Sequence, residues 1–178
     1  MTIPNLITIG RLILVPFVVA MIVQGEWTLA FAAFVVAGIS DAVDGFIARR
    51  FSMKSELGAY IDPLADKALL VSIYVALAVQ GVLPGWLAIV VVSRDAMIFA
   101  AIVVSWLMHR PVAIRPLLIS KLNTAAQIAF AALVLGAKAW GAGTVDMVPW
   151  AMPLVAILTG LSAAAYLRVW SRHMATEP

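Results

Sequence analysis

The 178-residue sequence contains no cysteine and only two histidines. The absence of cysteine excludes disulfides, thiol catalysis and thiolate metal sites. Charged residues are also scarce, since they make up 12% of the chain, whereas a soluble domain usually carries about a quarter. Hydrophobic residues reach 64% and are spread along the whole chain, so the composition predicts an integral membrane protein.

The net charge of +3 does not indicate a nucleic-acid partner. The twelve Lys and Arg residues are scattered singly, and a bias between membrane loops explains them better than a basic patch would. The N-terminus is not typical of a signal or transit peptide, because Arg11 interrupts its apolar run and Pro4 and Pro16 punctuate it. We therefore expect a single membrane domain, residues 1–178, in the inner (cytoplasmic) membrane of a bacterium.

Six segments are long enough to cross a bilayer, which takes about 20 apolar residues as a helix. Gly, Pro or charged residues separate them. The predicted fold class is therefore all-α: a polytopic membrane protein with six transmembrane helices. We expect the opening turns, Thr2–Arg11, to form a short N-terminal interfacial helix. The six segments are Ile3–Val23, Trp27–Arg49, Ser55–Val79, Pro84–Leu107, Pro116–Ala139 and Val148–Val169.

The basic residues predict the orientation, because six spans place both termini on one side of the membrane. The loops on the opposite side contain only Lys138. By the positive-inside rule, the side of the termini faces the cytoplasm. The basic residues on that side are Arg49, Arg50, Lys54, Arg110, Arg115, Lys121, Arg168 and Arg172.

Four of the nine acidic residues are aspartates in two closely spaced pairs. Asp41 and Asp44 stand three positions apart near the cytoplasmic end of the second segment, and Asp62 and Asp66 stand four apart early in the third. Either spacing puts the pair on a single helical face. A short connection between antiparallel helices then brings the two pairs opposite each other, near the cytoplasmic membrane surface.

These carboxylates must hold protons or cations, because an ionised aspartate at mid-membrane costs roughly 2.5–3.5 kcal/mol. Carboxylate oxygens suit hard ions such as Mg²⁺ or Mn²⁺, and four carboxylates are enough to bridge two ions. Paired metals in turn indicate phosphate chemistry. Two other interpretations stay open. The aspartates relay protons in a cation- or proton-coupled transporter, or they form a structural network with Arg49, Lys54, Lys67 and Arg94.

The pattern Asp-x2-Asp-Gly-x2-Ala-Arg-x8-Gly-x3-Asp-x3-Asp, from Asp41 to Asp66, resembles the complete signature of the CDP-alcohol phosphatidyltransferases. The resemblance implies that family's fold, six transmembrane helices after an interfacial helix, with an active site open to the cytoplasm and a homodimer. It also implies that the four aspartates bind two Mg²⁺ or Mn²⁺ ions, and that Asp66 is in addition the catalytic base. The positions that match the CDP pocket are Asp41, Gly45, Ala48, Arg49 and Gly58, with Arg49 near the diphosphate.

Three further stretches bear on the acceptor alcohol. Ile3–Arg11 resembles both the cardiolipin synthases and the phosphatidylglycerophosphate synthases of this family, whereas Ser93–Asp95 and Ile119–Gln127 resemble the CMP-forming cardiolipin synthases more closely. The resemblance thus implies transfer from CDP-diacylglycerol to phosphatidylglycerol, giving cardiolipin and CMP. The alternative is a phosphatidylglycerophosphate synthase, whose acceptor is glycerol 3-phosphate. The suggested acceptor-binding residues are Lys67, Arg115, Lys121 and Asn123.

Three charged residues in the apolar segments have two interpretations each. Arg11 either covers the site from the interface or extends to lipid headgroups, and we expect the second. Arg94 and Asp95 either pair with a neighbouring helix inside the membrane or face the acceptor. Adjacent helical positions point about 100° apart, so these two need not pair with each other.

Overall fold

The computed structural model describes the backbone of residues 3–50, 56–108, 117–141 and 148–176, and the side chains of residues 10–43, 65–108, 117–141 and 148–175. The described backbone forms six α-helices and no strand, which confirms the predicted all-α class. Their bounds are α1 (Ile3–Gln24), α2 (Trp27–Arg50), α3 (Glu56–Val79), α4 (Gly85–Leu107), α5 (Leu118–Ala139) and α6 (Val148–Thr176).

Three helices of the described chain, α4, α5 and α6, are long and apolar enough to cross a membrane. In α1 and α2 the described apolar runs are shorter, Gly10–Gln24 and Trp27–Val43. The chain is therefore an integral membrane protein. The count of six membrane spans stays a prediction.

The predicted interfacial helix at the N-terminus is not a separate element, because α1 continues without a break from Ile3 to Gln24. The separate helix was expected to end at Arg11 and to lie along the interface. The structure instead buries the Arg11 side chain inside the protein. Pro4 lies in the first turn, where the helix needs no backbone N–H, and Pro16 is accommodated within α1.

The chain divides into two compact units, and one of the boundaries between them falls within α5. Unit 1 comprises Met1–Leu83 and Ala131–Val145, and unit 2 comprises Pro84–Phe130 and Asp146–Pro178. In unit 1, α1 packs against both α2 and α3. In unit 2, α4 packs against α6. The single membrane domain over residues 1–178 stays a prediction.

Small residues on α2 and large ones on α3 form much of the buried core of unit 1. Ala30, Ala33 and Ala37 are buried on one face of α2, and such small side chains let membrane helices approach closely. On α3 the buried face is larger and branched. It includes Leu69, Leu70, Ile73, Tyr74 and Leu77.

Three described helices end at a glycine with left-handed backbone: Gly25 at φ 76°, Gly81 at φ 69° and Gly141 at φ 64°. After α1, the amides of Gly25 and Glu26 donate to the carbonyls of Ile22 and Met21, which closes the last turn. The end of α3 is tied to the end of α1, because Gln80 Nε2 donates to the Val23 carbonyl at 2.6 Å. Gly25 and Gly81 lie in the gaps between the predicted segments, so these two breaks are confirmed.

The backbone at Gly81 gives the first testable prediction. A Cβ added at Gly81 meets no atom within 4 Å, so Gly81→Ala tests the left-handed conformation alone. We expect the variant to lose about 1 kcal/mol of stability, measured as a lower midpoint of thermal unfolding in detergent micelles. Gly160→Ala is the matched control, since Gly160 lies within α6 with equally open space. It should be neutral or stabilising, and equal losses in both variants would contradict the prediction.

Candidate functional site

The candidate site in unit 1 is built around a buried arginine that meets two of the four predicted aspartates. Arg11 Nη1 lies 2.5 Å from Asp66 Oδ1 and 3.0 Å from Asp41 Oδ1. Because both distances share one nitrogen, the two carboxylate oxygens lie no farther apart than the sum of these distances. One cation from α1 therefore joins a carboxylate of α2 to a carboxylate of α3.

Each of the three charges continues the buried face of its own helix. On α1, Arg11 is followed at helical spacing by Val18 and Ile22, both buried. On α2 the buried residues Ala37 and Ala30 lead to Asp41, and on α3 Asp66 is followed by a buried face that starts at Leu69. Residues 3, 4, 7 or 11 positions apart share a face, so each charge points towards the neighbouring helices. All three lie about two to three turns inside a helix end.

Exposure is unequal across this ion triad of Arg11, Asp41 and Asp66. The Arg11 side chain is 1% exposed, whereas that of Asp41 is 50% exposed and that of Asp66 44%. The arginine is enclosed by protein, but each carboxylate keeps about half of its surface open. The open half can accept a second cation or a substrate proton.

The expected headgroup contact of Arg11 is wrong. Its partners are aspartates of the predicted site. A buried guanidinium without a partner is strongly destabilising, and two carboxylates offset its charge. Arg11 also was not among the cations that the structural-network interpretation assigned to these aspartates.

The remaining predicted residues of the acidic site lie partly outside the described residues. Lys67 follows Asp66 on α3 and is partly exposed. The side chains outside the described set are those of Asp44, Gly45, Ala48, Arg49, Gly58 and Asp62. Their predicted roles stay predictions.

The donor set of the triad fits a hard divalent ion. Carboxylate oxygens from two helices converge on one point that already holds a positive charge, and Mg²⁺ and Mn²⁺ prefer such oxygen ligands. Among the described side chains no group of three or more His, Cys, Asp or Glu residues converges. Asp41 and Asp66 would therefore need further ligands from the rest of the signature.

Unit 2 contains its own buried arginine, on α4. Arg94 Nη2 donates to Ser162 Oγ at 2.7 Å and to Ser120 Oγ at 2.6 Å, while Nη1 contacts Asp95 Oδ1 at 2.5 Å. Its guanidinium carbon lies 5.6 Å from the centre of the Tyr166 ring. Arg94 thus joins α4 to α5 and α6, and it does pair with its neighbour Asp95.

A second buried polar group of unit 2 surrounds Thr159. Its Oγ1 lies 2.9 Å from Asn123 Oδ1 and 2.7 Å from the Val155 carbonyl oxygen. It accepts a hydrogen bond of 3.2 Å from Gln127 Nε2. Asn123, Gln127 and Thr159 are all fully buried, so this group connects α5 to α6.

The predicted acceptor residues therefore occupy different environments. Lys121 is exposed, near the start of α5, whereas Asn123 is buried and its amide nitrogen has no hydrogen-bond partner among the described residues. Arg115 lies outside the described residues. The sequence predicted none of the partners Ser120, Thr159 and Ser162. No local pattern distinguishes such residues from the many small polar residues of membrane helices.

Comparison with known proteins identifies related sequences. The sequence profile of a family described as CDP-alcohol phosphatidyltransferase matches residues 1–168. The chain is similar to a probable CMP-forming cardiolipin synthase of Drosophila melanogaster, with 36% identity over 97% of this chain and 58% of the relative. It is also 35% identical to a CMP-forming cardiolipin synthase of Rattus norvegicus, over 76% of this chain and 50% of the relative.

A relative with another acceptor in its name matches at a similar level. The chloroplastic CDP-diacylglycerol–glycerol-3-phosphate 3-phosphatidyltransferase 1 of Oryza sativa subsp. japonica is 37% identical, over 76% of this chain and 46% of the relative. The chain thus spans about half the length of these relatives.

The second testable prediction concerns the buried hydroxyl of Thr159. Thr159→Val keeps the side-chain shape but leaves Asn123 and Gln127 buried without that partner. We expect a loss of about 1–2 kcal/mol in the free energy of unfolding, measured by SDS titration in mixed micelles. Thr159→Ser retains the hydroxyl and should stay close to the parent. The prediction fails if the two variants unfold alike.

Proposed function

This chain belongs to the CDP-alcohol phosphatidyltransferase family, and from that membership we propose that it transfers the phosphatidyl group of CDP-diacylglycerol to phosphatidylglycerol. The products are cardiolipin and CMP. The relatives named as CMP-forming cardiolipin synthases support this acceptor. The family match also favours an enzyme over the transporter considered from the sequence.

The observation that carries the proposal is the meeting of Asp41 and Asp66 at one positive charge. These are the first and last aspartates of the signature, and they come from different helices. Their convergence brings the two end positions of the signature, one on α2 and one on α3, to one place. Their half-exposed carboxylates leave that place open to an anionic substrate held by cations.

The proposed cofactor is a pair of Mg²⁺ or Mn²⁺ ions, for which Asp41, Asp44, Asp62 and Asp66 would be the ligands. When bound, such ions neutralise phosphate charge and stabilise the oxygen that leaves with CMP. The proposed CDP pocket adds other residues of the signature. It comprises Asp41, Gly45, Ala48, Arg49 and Gly58, with Arg49 beside the diphosphate.

The proposed role of Asp66 is to accept the proton of the acceptor hydroxyl. That oxygen then forms a bond to the β-phosphorus, the one esterified to diacylglycerol. The bond from this phosphorus to the bridging oxygen breaks, and CMP leaves with the electron pair. The exposed half of the Asp66 carboxylate gives the hydroxyl access to the base, as proton transfer requires.

The proposed acceptor residues are Lys67, Arg115, Lys121 and Asn123. Among them, Lys121 has an exposed ammonium group at the predicted cytoplasmic end of α5, where it can attract an anionic headgroup. Asn123 lies on the same helix but in the buried group around Thr159, so its contribution would be to fix the position of α5 as well as to offer its amide nitrogen.

The membrane arrangement is also proposed. We infer six spans with the termini and the acidic site on the cytoplasmic side, since the basic loop residues favour that orientation. The bacterial cytoplasmic membrane and the homodimer named in the sequence analysis are part of the same proposal.

A second acceptor, glycerol 3-phosphate, is favoured by the rice relative, whose name includes it. The two reactions share the CDP-lipid, the metals and the four aspartates. They differ only in the alcohol, so a direct comparison of acceptors separates them.

The third testable prediction is the outcome of this comparison. Purified protein in mixed micelles receives CDP-diacylglycerol and Mn²⁺ or Mg²⁺, with either phosphatidylglycerol or glycerol 3-phosphate. Mass spectrometry should detect cardiolipin and CMP with phosphatidylglycerol. Phosphatidylglycerophosphate formed from glycerol 3-phosphate alone would replace the proposed acceptor with the second one.

The same assay tests the aspartates. Asp41→Asn and Asp66→Asn should each lower CMP release by at least about 10²-fold, because a metal ligand is lost and, at Asp66, the base as well. Glu26→Gln is the control, since Glu26 is an exposed acid in the turn between α1 and α2, and it should keep full activity. CMP release that survives either Asp variant, or full chelation, would refute the metal-dependent mechanism.

A further testable prediction concerns Lys121. Lys121→Gln should raise the KM for phosphatidylglycerol about fivefold with little change in kcat, because one basic residue near the surface contributes ~1 kcal/mol to anionic lipid binding. Lys138→Gln is the matched control, because Lys138 is a basic residue in the last turn of the same helix. Its ammonium group lies over the Trp27 ring, so the variant should keep the parent KM. An unchanged KM in Lys121→Gln would exclude that residue from acceptor binding.

A further inference from the structure

Arg11 occupies the position between the first and last aspartates of the signature. Its Nη1 contacts Asp41 Oδ1 and Asp66 Oδ1 at 3.0 and 2.5 Å. An ion that bound these same two oxygens would lie close to this nitrogen, because both would be neighbours of both oxygens. The two positive charges would repel each other, so the guanidinium and a divalent ion compete for these carboxylates.

The same contact keeps the two carboxylates together. α1 packs against both α2 and α3, and Arg11 is the residue through which it reaches a carboxylate on each. Without a cation, two like charges this close would repel each other. Arg11 therefore links α2 and α3 at the two aspartates that they carry.

We propose that Arg11 is a positioning residue that holds Asp41 and Asp66 in the metal-free protein and is displaced from them when a divalent ion binds. This inference rests on the proposed function, because it takes the ion from there. It adds that the affinity for the ion is set by competition with a charge inside the protein. Arg11 lowers this affinity and, in exchange, keeps the metal-free site assembled.

The burial of Arg11 makes this competition specific. At 1% exposure the guanidinium is screened little by water, so its charge acts strongly on the two carboxylates. The carboxylates keep open surface on their other side, by which an ion can enter. One of the two competing cations is the Arg11 guanidinium of the protein, and the other is the divalent ion from solution.

The test measures ion binding without any lipid substrate. Mn²⁺ is titrated into Arg11→Gln and into the parent protein in micelles, and free Mn²⁺ is followed by electron paramagnetic resonance. We expect the Kd of Arg11→Gln to be lower by about tenfold or more, because the competitor and its positive charge are gone. In EDTA the variant should unfold at a lower temperature than the parent, and Mn²⁺ should restore more of its stability.

Two control variants distinguish competition from a merely structural role. Arg11→Lys keeps a cation that can contact both carboxylates, so it should restore stability in EDTA and a Kd near that of the parent. Arg168→Gln removes an exposed arginine of α6 and should change neither quantity. Equal or weaker Mn²⁺ binding by Arg11→Gln, with a normal Arg168→Gln, would overturn the proposal.

A measurement on the unaltered chain covers the case in which Arg11→Gln does not fold. In protein labelled with ¹⁵N-arginine, the Arg11 Nε–H resonance is the one that disappears in Arg11→Lys. Mg²⁺ should shift this resonance in the parent protein as the guanidinium leaves the carboxylates, and should leave the Arg94 resonance in place. A resonance that does not respond to saturating Mg²⁺ would refute displacement.

The same experiments separate this inference from the proposed function. If the parent binds no Mn²⁺ at all, the metal site fails and the inference fails with it. If the parent binds Mn²⁺ and its Asp41→Asn variant does not, but Arg11→Gln binds like the parent, the metal site stands and only the role of Arg11 is rejected.

Discussion

A charge inside a membrane helix is stable only where opposite charges or hydrogen-bonding groups meet it, and the packing of the described helices depends on this requirement. The side chains described include two buried arginines, one in each unit. Arg11 on α1 meets carboxylates of α2 and α3. Arg94 on α4 meets hydroxyls of α5 and α6 and the carboxylate beside it. In both units one arginine therefore fixes how three helices face one another.

The fold could be predicted well where residues close together in the sequence determine the local backbone. Glycines such as Gly25 and Gly81 end helices through their own backbone geometry, so the helix ends there were readable from the sequence. The separate interfacial helix expected up to Arg11 was wrong, because α1 is continuous there. The headgroup contact expected for Arg11 was wrong as well, because its side chain is buried. Whether a charged side chain leaves the bilayer or is neutralised within it depends on a residue far away in the chain, which periodicity along one helix does not reveal.

The candidate site shows the same limit. Helical spacing predicts that Asp41 and Asp66 each share a face with their partners in the signature, and the structure adds that these two reach one nitrogen. That nitrogen belongs to a third helix, and the expected direction of Arg11 was towards headgroups. Likewise, the resemblance suggested Asn123 for the acceptor but could not show that its amide oxygen meets Thr159. A motif identifies residue types along a chain, whereas the partners of buried polar groups follow from tertiary packing.

The unequal exposure of the ion triad explains how one cluster can serve both stability and chemistry. Under the proposed function, four aspartates and two divalent ions offset each other in charge. Under the same proposal the charge of Arg11 stays on α1 beside the site when an ion takes its place, and Arg49 would lie beside the diphosphate. Two positive charges then match the two negative charges of the substrate diphosphate. The arginine that keeps the carboxylates together in the metal-free protein would thereby become, in the loaded protein, part of the positive field that receives the substrate.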